Sequence, residues 1–274
     1  MAIRRCTVGG LAAMLMLAAH AQDPEDLLKR YRRAYHDENG VYLKMNTTLT
    51  VKRTRQGVVA TRDVEEEHLT LGSASTRNDP ERVNYSAMVP LTRIEAWTLS
   101  PDNGNYRKVP VTEFLHRDER NDQVFHDDSR SVNFTFPRPA AGAITHVEYG
   151  ISYPDARFAS GHYFASNDPV EESTFTVVHD EDISVRAVPF HIADSSLERT
   201  TLRKHGRVEE RFTMRHVPAL VYENDAPQYP YFAPHVQLII TDHPPRPGDT
   251  ELDQLYAWYY SHVAHVDDAP DARL

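Results

Sequence analysis

The chain has 274 residues, with 30 basic against 40 acidic side chains for a net charge of −10, and a single cysteine. That acidic balance disfavours nucleic acid and anionic membrane surfaces as partners, because both demand a basic face. None of the 11 glycines falls in a Gly-x-Gly-x-x-Gly or Walker arrangement, so nucleotide use is not indicated, and no cofactor is expected.

Arg4 and Arg5 precede an apolar run from Val8 to Ala19, and Ala19-His20-Ala21 before Gln22 fits the small-x-small rule of signal peptidase. The run is 12 residues long, whereas a spanning helix needs roughly 20. Residues 1–21 are therefore expected to be a signal peptide cleaved near Ala21, which places the mature chain in the periplasm or outside the cell with no membrane span. Cys6 precedes the apolar run, which argues against lipoprotein attachment, and cleavage removes it. The mature chain then has no thiol, which excludes disulfides, thiolate metal sites and an internal Cys-His pair. A domain of this length buries enough surface to fold without cross-links.

Asp23-Pro24-Glu25-Asp26 reads as an N-cap with proline in the first turn, and Lys29, Arg30, Arg32 and Arg33 complement the far end of the dipole, predicting one short helix to about Tyr35. After the Asn39-Gly40 turn, Val41, Leu43, Met45, Thr47, Leu49 and Val51 alternate with polar residues, predicting a long half-buried strand. Gly57 turns it into a second strand near Val58 to Leu71, making a hairpin. Further strands are predicted at Val83 to Val89 and Arg93 to Leu99. Pro101-Asp102-Asn103-Gly104 then marks a turn before Tyr106 to Val111. Val132 to Phe136, Thr145 to Tyr153, His162 to Ala165, Ser173 to Val178, Ile183 to Val188, Val208 to Arg215 and Val236 to Thr241 complete the series.

Short alternating runs separated by turn residues, without βα alternation, predict an all-β fold: an antiparallel β-sandwich over residues 22–245 with short N- and C-terminal helices. Residues 246–274 read as a C-terminal helix and a disordered acidic tail. The helix is expected from about Glu251 to Val263, with Leu252, Leu255, Tyr256, Tyr259 and Val263 on one face packed against a neighbour.

The densest polar block is Phe125-His126-Asp127-Asp128-Ser129-Arg130-Ser131, which runs into Val132 to Phe136 and stops at Pro137. This stretch, from Val124 to Pro137, resembles the central signature of a bacterial domain of unknown function found N-terminal to transglutaminase-like cysteine hydrolase domains. Leu99 to Gly104 is similar to that family's Pro-Asp-Gly turn. Gly142 with Glu148-Tyr149, Asp168-Pro169-Val170, and Pro218-Ala219-Leu220 with Glu223 resemble its later segments. The resemblance spans about Val41 to Thr241. Met214 stands where the family often has tryptophan, and the sequence stops where the transglutaminase-like domain would begin. The resemblance implies a fold and a neighbour, a transglutaminase-like peptidase domain or another periplasmic protein, with no activity attached.

Asp127 and Asp128 make a poor acid/base pair, since neighbours on an extended strand point to opposite faces. Turn capping by their carboxylates, with Arg130 as ionic partner, is the structural reading. His126 with Asp128, and His262 with His265, lack a third ligand at a recognised spacing, and no His-Glu-x-x-His occurs, so no metal is expected. No Gly-x-Ser-x-Gly elbow exists either, and no catalytic residue is assigned. The aromatic stretch containing Tyr222, Tyr229, Tyr231 and Phe232 between prolines is either a contact surface or a lid over the sandwich. The expectation is an exported, non-catalytic accessory module with His126, Asp127, Asp128, Arg130, Tyr229, Tyr231 and Phe232 as candidate binding residues. The alternative is a glycan- or metal-binding hydrolase using the His126-Asp127-Asp128 turn.

Overall fold

The computed structural model describes residues 23–72, 80–119, 128–221, 225, 227–241, 248 and 250–264. The expected signal peptide and acidic tail lie outside them, as do His126, Asp127 and Tyr222. Chain order is α1 (Pro24–Ala34), β1 (Gly40–Thr54), β2 (Gly57–Thr70), β3 (Glu81–Ser86), β4 (Leu91–Asp102), β5 (Asn105–Pro110), β6 (Leu115–Asp118), β7 (Ser129–Phe134), β8 (Ile144–Tyr153), β9 (His162–Tyr163), β10 (Val170–Asp180), β11 (Ser184–Phe190), β12 (Glu198–Lys204), β13 (Arg207–Val217), β14 (His235–Thr241) and α2 (Glu251–Val263). The protein is all-β with short helices.

Eight strands form one large sheet in the order β12-β13-β10-β1-β2-β8-β4-β5. All neighbours are antiparallel except β1 and β10, which run parallel through the centre. Two three-stranded sheets, β11-β14-β9 and β3-β7-β6, complete the strand structure of the described residues. The first covers the inner face of the large sheet: Leu49, Val51, Phe175, Val177 and Phe212 meet Val236, Leu238 and Ile240 of β14 in the main core. The second adds a smaller core, where Phe134 and Phe136 meet Ala96 and Val147. Burying side chains such as Phe175 and Leu49, both at 0% exposure, contributes roughly 1.5–3 kcal/mol each.

On the outer face α1 covers one end, with Leu27 and Tyr31 packed among Val41, Leu69, Trp97, Leu99 and Ile144. Asp23 caps this helix by accepting the N–H of Glu25 at 2.8 Å, and Arg32 ties it to the sheet by donating to the carbonyl of Leu71.

Three sequence expectations change in detail. A β-bulge between Tyr42 and Lys44 breaks the single alternation expected for β1. Val41 and Leu43 therefore face α1, while Met45, Leu49 and Val51 enter the main core. Strands β6 and β12 were not foreseen, because both are exposed along their whole length and carry no alternation. Finally, α2 has the expected bounds, but Leu252, Leu255, Tyr256, Tyr259 and Val263 are 40–62% exposed. The helix docks instead through Trp258, whose indole N–H donates to Asp155 at 2.8 Å and whose ring meets Phe158 edge-on. A helical period identifies a common face; it does not say which way that face turns.

Candidate functional site

The outer face of the large sheet is open beyond α1 and forms a polar groove of about 630 Å³. It is built by alternation: on β1, β2, β8, β10 and β13, every second residue is consumed by the core and the intervening ones line the groove. One row runs across the strands as Thr213, Thr174, Asn46, Glu65, Glu148 and Glu95. The next places Lys44 beside Glu67, then His146 and Trp97.

Ion pairs line the groove. Lys44 Nζ donates to Glu65 Oε1 at 3.1 Å. Arg93 donates to Asp63 at 2.9 Å and lies 3.6 Å from Glu148. Arg215 bridges Glu172 at 2.9 Å and Glu198 at 2.6 Å. The hydrogen bond to Asp63 holds the Arg93 guanidinium above its ordinary range.

Opposite charges do not alternate everywhere. Glu65, Glu148 and Glu95 stand directly opposite one another on adjacent strands, an arrangement that repels without a cation nearby. Beside them one ligand atom each of Glu65, Glu67 and His146 lies within 4.8 Å of the others. His146 is 2% exposed and stacks on Trp97 with ring centres 3.8 Å apart, while Lys108 Nζ lies 3.4 Å from the centre of the Trp97 ring. These residue types, one imidazole and two carboxylates, can hold a first-row divalent metal. Sequence reasoning missed them because Glu65-x-Glu67 and His146-x-Glu148 are ordinary strand alternations, and only β2–β8 pairing brings them together.

The sequence-derived candidates lie elsewhere. Asp128 Oδ2 accepts the backbone N–H groups of Ala87 and Met88 at 3.0 and 3.3 Å, stabilising the turn between β3 and β4. Arg130 Nε lies 3.5 Å from Asp118 on the neighbouring strand. Tyr229 belongs to a short 3-10 turn before β14 and donates its hydroxyl to the carbonyl of Ala165 at 2.5 Å; burial pushes its phenol up to about 12. Phe232 packs on Tyr229 with centroids 5.9 Å apart, and Tyr231 is 71% exposed. Neither set lines the groove.

A family described as a domain of unknown function with solved structure, DUF3857, matches residues 80–221, a little over half of the chain. The chain belongs to this family. No curated protein matches this DUF3857 member. Among solved structures, its fold is similar to that of a candidate protease from Parabacteroides distasonis at TM-score 0.60 and 16% identity, covering 73% of this chain and 40% of that one. A looser likeness, TM-score 0.37 at 15% identity, is to an M1 zinc metallopeptidase from Deinococcus radiodurans, covering 74% of this chain and 42% of the other. The DUF3857 chain thus spans less than half the length of either match, and the first of them supports the fold alone. Among the described residues no helix is long and apolar enough to cross a membrane.

Proposed function

We propose that this DUF3857 chain is an exported, non-catalytic interaction module that docks on a transglutaminase-like peptidase domain. The basic, apolar and small-x-small succession of residues 1–21 supports export. The resemblance of Val124 to Pro137 to the signature of a domain found N-terminal to transglutaminase-like domains supports such a domain as the partner.

The observation that carries the reading is the outward side of α2. Leu252, Leu255, Tyr256, Tyr259 and Val263 fall at i, i+3, i+4, i+7 and i+11 and are all at least 40% exposed, with Tyr260 at 69% beside them. A contiguous apolar stripe on a surface helix marks a contact, and this spacing is the one read by helix-in-groove partners. Trp258 holds the opposite side of the helix against Asp155 and Phe158, so the stripe is presented on an anchored support.

Binding to a transglutaminase-like domain encoded in the same genome, produced separately and titrated calorimetrically, tests this. The intact chain is expected to bind, and the Leu255→Glu/Tyr259→Glu double variant to bind at least about tenfold more weakly. Absence of binding by the folded chain to such domains, or equal affinity of the double variant, overturns the reading.

A further inference from the structure

Buried polar atoms in folded proteins nearly always have a hydrogen-bond partner, and those without one call for an explanation such as an ion. His146 Nε2 is buried with no hydrogen-bond partner, and a carboxylate oxygen of Glu148 is 3.9 Å away. The other ring nitrogen, Nδ1, lies 3.4 Å from Glu67 Oε1. That separation is long for a charge-assisted hydrogen bond. It equals the edge of a tetrahedron around a metal with bonds of about 2.0–2.1 Å, which comes to roughly 3.3–3.4 Å. On β1, the Asn46 Oδ1 atom facing Glu65 in the next register row is likewise buried without a partner.

We propose that Glu65, Glu67 and His146 form a binding site for one first-row divalent transition-metal ion, with zinc(II) as the type ion. Imidazole plus two carboxylates suits zinc, cobalt, nickel or manganese, whereas calcium and magnesium prefer all-oxygen shells. Coordination through Nδ1 leaves the ring proton on the unpartnered Nε2, from which the Glu148 carboxylate at 3.9 Å comes within hydrogen-bond reach by a small side-chain movement, the outer-carboxylate contact typical of a ligating histidine. Stacking on Trp97 holds the ring plane. Three protein ligands leave one position for water or for a donor brought by a partner, on the side of Glu65, the one of the three that lines the groove.

The ion also accounts for the row of Glu65, Glu148 and Glu95, whose mutual repulsion Lys44 and Arg93 offset only in part. Lys44 is its competitor: the ammonium 3.1 Å from Glu65 occupies ground that the metal would take, and its flexible stem lets it move aside. Loss of Lys44 should therefore tighten metal binding, an outcome that a purely structural ion-pair cluster does not produce. This site is independent of the α2 surface, so failure of either proposal leaves the other standing.

The chain has two tryptophans, so Trp258→Phe leaves Trp97, in contact with His146, as a local reporter. Zinc chloride titrated into this variant of the full-length chain should change Trp97 emission with a stoichiometry near one, and cobalt(II) should give the visible bands of a low-coordinate site. His146→Gln, Glu65→Gln and Glu67→Gln should each weaken binding at least about tenfold, while Lys44→Ala strengthens it. The glutamate variants are isosteric at half-buried positions, so they carry the test if His146→Gln does not fold. A Trp97 signal that fails to saturate below millimolar metal, or equal affinity in the wild type and the folded ligand variants, overturns the proposal.

Discussion

His162, in the core between the sheets, and His146, on the outer face of the large sheet, are both hidden from solvent, at 8% and 2% exposure. Their surroundings differ completely. His162 lies 2.9 Å from Ser173 Oγ, stacks on Phe175, and is kept neutral by burial, with Arg62 adding to the effect; its pKa is lowered to about 3. His146 sits among Glu65, Glu67 and Glu148 with Nε2 unsatisfied. An imidazole in an apolar core needs one neutral partner to be stable there. One placed among carboxylates is suited to share a cation with them, and burial alone does not distinguish the two.

The contrast between the faces predicts unequal sensitivity. Phe175 is fully buried between His162 and Phe212, so Phe175→Ala should cost about 3–5 kcal/mol, read as a lower urea midpoint at unchanged slope. A loss below about 1 kcal/mol would mean that the inner face is not the closely packed core described.

His162 predicts a pH effect of known sign. Its folded pKa of about 3 lies below the ordinary 6.5, so between those values only the unfolded chain takes up the proton, and stability falls as pH falls. The expected loss is about 1.4 kcal/mol for each pH unit below about 6.5. Urea midpoints measured from pH 7 to pH 5 should therefore fall more steeply in the wild type than in His162→Gln. Parallel slopes would remove the distinction between the two histidines.

The smallest effect belongs to the groove. Lys44 and Glu65 are side chains at 23% and 25% exposure on an open surface, where a single ion pair contributes about 0–1 kcal/mol. Lys44→Met should shift the thermal midpoint by only a few degrees. A large loss would show that the outer face is structural in the same sense as the inner one.

The legibility of the sequence follows the same division. The Asn103-Gly104 turn was readable because both residues take positive φ, at 51° and 79°, in the two-residue hairpin between β4 and β5. The strand from Ile144 to Tyr153 was readable because alternation marks a sheet with one apolar face. β12 was not, since an edge strand exposed along its whole length shows no period, although its turn at His205-Gly206 has the same positive-φ pair. The acidic block drew attention for its density of functional groups, yet Asp128 serves the backbone of Ala87 and Met88. Glu65, Glu67 and His146 carried no local signal at all.

By itself the sequence determined the strand-rich class, most strand positions and both helices, because these depend on local periodicity and turn chemistry. Tertiary structure alone decided the parallel β1–β10 junction, the outward turn of α2 and the meeting of Glu65 and Glu67 with His146. The first and last depend on which strands pair and in what register, and that pairing joins residues roughly 80 to 130 positions apart whose local patterns are indistinguishable from those of any other half-buried strand, while the turn of α2 depends on Trp258 meeting Asp155 and Phe158.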